Sequence, residues 1–139
     1  CDITKEKAKE YVEELLLEAQ DRGFLRKEQV ECIDKTLIVK FYMSDIAKRI
    51  ALADEVMKEV PFTQLEEIDG ESVAVQGIID CIIREKDKYT VIDFKTDETA
   101  DGQKYKEQLA YYAEAVRKVF GGEPEKIVYF IKHDKQEFL

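Results

Sequence analysis

Residues 75–97 read VQGIIDCIIREKDKYTVIDFKTD. Two apolar, β-branched runs flank the charged segment REKDK, which is the pattern of a hairpin with both strands largely buried. Each run nevertheless carries an aspartate, Asp80 in the first and Asp93 in the second, and Lys95 follows two residues later. A buried carboxylate is costly unless something pairs with it. If the turn centres on Lys86 and Asp87, residues whose numbers sum to 173 face each other, and Asp80 opposes Asp93. Cross-strand neighbours have Cβ atoms about 4.5–5.5 Å apart on one face. Lys95 shares that face because side chains alternate, while Ile92 and Phe94 point to the other side, toward the core. The turn has no glycine, so a tight type I′ loop is not expected, although any symmetric even-length loop keeps the register.

Two carboxylates that close repel by about 3 kcal/mol at an effective dielectric near 20. Lys95 offsets one of them, and a divalent cation would offset both. Hard oxygen donors without a Cys or His cluster favour Mg²⁺ or Mn²⁺ over zinc. Upstream, Asp69-Gly70 is a strong two-residue turn signal. It pairs residues summing to 139 and sets Glu59 opposite Asp80, offering a third carboxylate. The metal-free alternative is a structural ion pair with Lys95, which leaves one acid uncompensated.

The 139 residues predict one domain, with a helical part over 1–54 and a sheet with its helix over 55–139. Helices are expected over 4–22, with Thr4 as N-cap and Gly23 as terminator, over 27–42, and from Ser44 to about Ala53. Strands are expected over 55–68, 72–83 and 89–96. A helix over 105–120 carries an apolar face that includes Leu109, Tyr112, Val116 and Val119, and one final strand covers KIVYFIKH. That order of elements is an α/β fold around a mixed sheet. No apolar run is long enough for a membrane helix, and no signal peptide opens the chain. Three scattered cysteines make no metal framework and fit a reduced, cytosolic protein. A net charge of −9 argues against nucleic-acid binding by bulk electrostatics but not against meeting phosphate through a metal.

GIID at 77–80, a twelve-residue gap, DFKT at 93–96 and then Q-x-x-x-Y at Gln108 and Tyr112 occur in that order. In this respect the chain resembles the RecB-like branch of the PD-(D/E)XK nucleases. The preceding EVPF and the spacing make it look most like the C-terminal nuclease domain of AddA subunits in bacterial AddAB helicase–nucleases. The resemblance implies a restriction-endonuclease-like core. It implies Asp80 and Asp93 as metal ligands, with the Phe94 carbonyl and Glu59 as further ones. Lys95 would position or deprotonate the attacking water, and Gln108 and Tyr112, i and i+4 on one helix face, would hold the site and the strand.

The implied activity is Mg²⁺-dependent exonucleolytic hydrolysis of single-stranded DNA in double-strand break repair, in the bacterial cytoplasm. DNA would be fed by the helicase part of the parent chain beside an AddB-like partner, with no membrane involved. A catalytically incomplete module for DNA guiding or docking of another chain is the alternative. One departure stands out. The family's metal-site histidine has no counterpart here, since the one histidine, His133, lies in no matching context. It is expected in a part of the parent chain preceding Cys1, so that this N-terminally truncated piece should bind metal weakly and cleave poorly.

Overall fold

The computed structural model describes residues 4–23, 25–32 and 34–139. The chain forms two compact units, Cys1–Arg49 and Ile50–Leu139. The first is helical. Thr4 caps α1 (Lys5–Asp21) by accepting from the Lys7 N–H at 3.4 Å, and Gly23 follows it at φ 78. The predicted single helix over 27–42 is two, α2 (Lys27–Cys32) and α3 (Lys35–Met43). The second has its own start signal: Asp34 is an N-cap whose Oδ1 accepts from Thr36 N–H at 3.0 Å. Residues of TLIVKFY are helical despite their strand propensity, because Val39 packs against Ala8, Val12 and Leu16 of α1. Ser44 caps α4 (Asp45–Leu52) as expected, accepting from Ala47 N–H at 3.2 Å.

The second unit is a five-stranded sheet in the order β1 (Glu55–Ile68), β2 (Glu71–Glu85), β3 (Lys88–Lys95), β4 (Glu125–Phe130), β5 (Lys135–Phe138). Only β3 and β4 run parallel, joined through a 3₁₀ turn (Gly102–Tyr105) and α5 (Lys106–Phe120). The sheet is mixed, as the sequence predicts, but has five strands where four were expected. The final run breaks into β4, a short 3₁₀ turn over Ile131–His133 and the antiparallel β5, with Asp134 at φ 45 between them. In β5, Glu137 accepts the Gly102 N–H at 2.7 Å and so ties the sheet edge to the segment that launches α5.

Both predicted registers are found. The β1–β2 pairs sum to 139 from Ile68↔Glu71 to Glu55↔Arg84, and the β2–β3 pairs sum to 173 from Glu85↔Lys88 to Cys81↔Ile92. The second turn is tight despite lacking glycine. Lys86 takes φ 58, and its strain is offset by contacts: its N–H donates to Asp54 Oδ2 at 2.6 Å, and Arg84 Nη1 donates to its carbonyl at 2.9 Å. Asp54→Ala is therefore expected to cost about 1 kcal/mol, measured by urea unfolding.

The main core joins sheet and helix: Ile79, Ile82, Val91, Val128 and Phe130 pack with Leu109, Tyr112 and Val116 of α5. Val91 and Asp93 share a face, so the aspartate lies on the face that packs on α5. Ile92 on the opposite face is fully buried, but Phe94 is only half-buried and packs edge-on against Tyr129, so the expectation that both enter a core holds only for Ile92. Val119, expected on the apolar face of α5, is exposed.

Candidate active site

Asp93 retains only 2% of its surface. Lys95 Nζ lies 2.9 Å from its Oδ2, close enough for an ion pair, yet no donor meets that oxygen with hydrogen-bond geometry. The lysine attracts the carboxylate without satisfying it. Burial drives the Asp93 pKa up to about 6; Lys95 opposes the rise, and the adjoining Asp80 carboxyl adds to it. The side chains of Asp80 and Asp93 thus interact from neighbouring strands. The Lys95 ammonium is itself penalised by burial, but the Asp93 contact outweighs that and holds its pKa above the usual value.

Asp80 sits at a break in the ladder. Glu59 and Asp80 are opposite in register, but they are the one position skipped between Lys58↔Cys81 and Val60↔Ile79. Glu59 adopts φ 51. The alternation of side chains slips there on both strands. Met57 packs on the main core, but so do Val60 and Phe62; Ile82 is in it, but so is Ile79, while Ile78 is exposed. At this break the Asp80 carboxylate turns to β3, where Oδ2 accepts the Phe94 N–H at 2.9 Å. A side chain thereby takes the place of a ladder hydrogen bond. Glu59 stays exposed, and the expected cluster of three carboxylates does not assemble: among the described residues no group of three or more His, Cys, Asp or Glu could hold a metal. The cause is the backbone of Glu59, which leaves the strand conformation at the position that would deliver it.

On α5, Gln108 Nε2 donates to Tyr112 Oη at 2.7 Å, so the predicted pair acts as one unit. The Tyr112 phenol is held protonated by burial and by the nearby Asp93 charge. Its oxygen accepts from Gln108, which leaves its hydrogen available to the acidic side of the site.

Tyr105 lies outside the motifs. Lys95 Nζ stands 4.5 Å above its ring and Lys104 Nζ 5.2 Å from the same centroid, while its hydroxyl donates to Asp97. Asp97 also pairs with Lys104 at 2.7 Å, which holds its carboxyl below the usual range. Lys95 is thus steered by a ring as well as by Asp93. The spacing K-T-D followed by K-Y was visible in the sequence, but nothing local indicates that the loop folds back. His133 is exposed and bonds the Glu98 carbonyl at 2.7 Å.

The family model described as the PD-(D/E)XK nuclease superfamily matches residues 2–138. The chain belongs to the PD-(D/E)XK nuclease superfamily. Among curated relatives of this nuclease domain, an ATP-dependent helicase/nuclease of the AddA type from Anoxybacillus flavithermus is 36% identical over 127 residues, covering 86% of this chain and 10% of that protein. The Bacillus cereus (strain AH187) protein of the same name is 36% identical over 154 residues, covering 93% and 12%. That of Clostridium novyi is 33% identical over 153 residues, covering 91% and 12%. The nuclease domain therefore spans about a tenth of the length of those relatives. Its five-stranded mixed sheet with α5 is the α/β core expected of the superfamily.

The donor set fits a hard divalent cation. Asp80 and Asp93 contribute oxygens only, Asp93 Oδ2 is buried without a donor, and Mg²⁺ commonly binds through one or two carboxylates while keeping several waters. Among the described residues no helix is long and apolar enough to cross a membrane.

Proposed function

We propose that this chain is a Mg²⁺- or Mn²⁺-dependent deoxyribonuclease domain that hydrolyses phosphodiester bonds of single-stranded DNA exonucleolytically. The observation that carries the reading is the buried Asp93 oxygen with no donor, set against Asp80. A fold that needed only an ion pair would satisfy that oxygen. Asp80, Asp93 and the Phe94 carbonyl would hold the cation. When bound, it supplies Lewis acidity and a more acidic water. Glu59, exposed at the ladder break, lies outside this minimal set.

The remaining roles belong to the chain itself. Lys95, held protonated, is suited to stabilise charge accumulating on the phosphoryl oxygens rather than to abstract a proton. Tyr105 keeps its ammonium aimed by the cation–π contact. Gln108 orients the Tyr112 hydroxyl as a donor.

The helicase/nuclease relatives extend the reading: a motor in the parent chain would feed the strand, an AddB-like protein would be the partner, and the setting would be double-strand break repair in a bacterial cytoplasm. The absence of a three-ligand group among the described residues favours a second reading, a catalytically incomplete module that guides DNA or docks another chain. Calorimetric titration with Mn²⁺ at pH 8 separates the two. Saturable heat that disappears in Asp93→Asn supports the nuclease, whereas no heat in the parent chain supports the module.

A further inference from the structure

Beside the acids, a cleft of about 440 Å³ opens between the β1–β2 ribbon and α5. Its size is that of a small-molecule site. Tyr112 belongs to both places: it lines the cleft, and its phenol feels the charges of Asp93 and Lys95. The floor is aromatic and closely fitted. The Phe62 ring lies over Gly77, where an added Cβ would stand 2.6 Å from Cε1, and meets Tyr112 edge-on at 5.2 Å. Tyr111 forms part of the wall, its hydroxyl donating to Glu66 at 2.8 Å.

The charge of the lining argues against phosphate. Lys104 is matched by Glu107, and its ammonium is already paired with Asp97. What the lining offers instead is ring faces and carboxamides, from Gln76 and Gln108. Gln108 gives its N–H to Tyr112, so its carbonyl oxygen remains as an acceptor. Gln64, two residues from Phe62 on the same strand and opposite Val75 of the lining, has a buried side-chain oxygen with no donor. A planar heterocycle bearing an amino group has the matching chemistry.

We infer that this cleft is a subsite for an unpaired nucleobase flanking the phosphate handled at Asp93 and Lys95. The inference rests on the nuclease reading for choosing a nucleobase among planar heterocycles. It adds a physical basis for single-strand selectivity, since a base seated between Phe62, Tyr111 and Tyr112 has its edge turned away from any complement. Stacking on aromatic side chains is sequence-tolerant, as a processive hydrolase requires.

The test uses the 139-residue chain in EDTA, where hydrolysis plays no part. Two probes divide the nucleotide: deoxyadenosine carries a base without phosphate, and 2-deoxyribose 5-phosphate carries phosphate without a base. Deoxyadenosine is expected to shift the ring signals of Tyr111 and Tyr112 saturably in NMR titrations, while the sugar phosphate leaves them in place. Gln76→Trp, at an exposed strand position, should fill the cleft and weaken the nucleoside at least about tenfold. Tyr111→Leu, which removes the ring and keeps the helix, should also weaken it. Equal shifts from both probes, or parent-like nucleoside binding in both variants, would overturn the inference. Loss of Mn²⁺-dependent cleavage alongside intact nucleoside binding would overturn the nuclease reading alone.

Discussion

Asp93→Asn is expected to abolish metal-dependent cleavage while making the metal-free protein more stable at pH 8. The two effects have one cause. In the parent chain the carboxyl titrates at about 6, against about 3.9 for an unfolded aspartate. The folded group binds its proton more tightly, so the penalty of its charge is absent below about pH 4, grows as pH rises, and is complete above 6. Asparagine carries no such penalty and should gain about 1–2 kcal/mol in EDTA at pH 8, with no gain at pH 4. The gain falls short of the full shift because Lys95, still partly exposed, loses its partner. Cleavage with Mn²⁺ should fall by about 10³-fold or more, since the substitution removes a ligand and its charge together. Urea unfolding from pH 4 to 8 and a strand-cleavage assay check both halves. A variant that cleaves like the parent would sink the assignment of Asp93. Because a ligating carboxylate must be ionised, metal affinity in the parent should also weaken as pH drops through 6.

Lys95→Met is the opposite case. It leaves Asp93 buried with its ion-pair partner removed, next to Asp80. Breaking a buried pair from one side costs more than deleting the pair, so the metal-free chain should lose about 2–3 kcal/mol at pH 8. The Asp93 carboxyl should then titrate above 6, and protonation should restore most of the loss by pH 5. In an Asp93→Asn background the same substitution should be nearly neutral, giving a coupling energy of about 2 kcal/mol by double-mutant cycle. Additive costs would mean that the contact at 2.9 Å contributes little. Activity should fail in the single variant whether or not the fold is rescued, because methionine cannot stabilise phosphoryl charge. The outcome thereby separates the role of Lys95 in holding Asp93 from its role toward substrate.

Much of the site was legible because it hangs on two local signals. Asp69-Gly70 and Lys86-Asp87 are turns of two residues, and each sets a register that period-two alternation carries outward for many pairs. Gln108 and Tyr112 needed only the helical repeat to be placed side by side. What failed was non-local. The split at Asp34 was overlooked because the apolar period continues across it, and β5 because four residues with charged ends carry little pattern by themselves. The tight turn at Lys86 depends on Asp54, 32 residues away.

The order of residues alone determined which strands pair, in what register, that Asp80, Asp93 and Lys95 converge, and which family they mark. These follow from turn chemistry and alternation, which act over neighbouring residues. Only the tertiary structure decided that Asp93 lies under α5 with an oxygen lacking a donor, that the ladder breaks at Glu59 and keeps it apart, and that Tyr105 steers Lys95. Each of those depends on burial or on contacts between distant segments, and such energies exist only once the sheet and helix have packed.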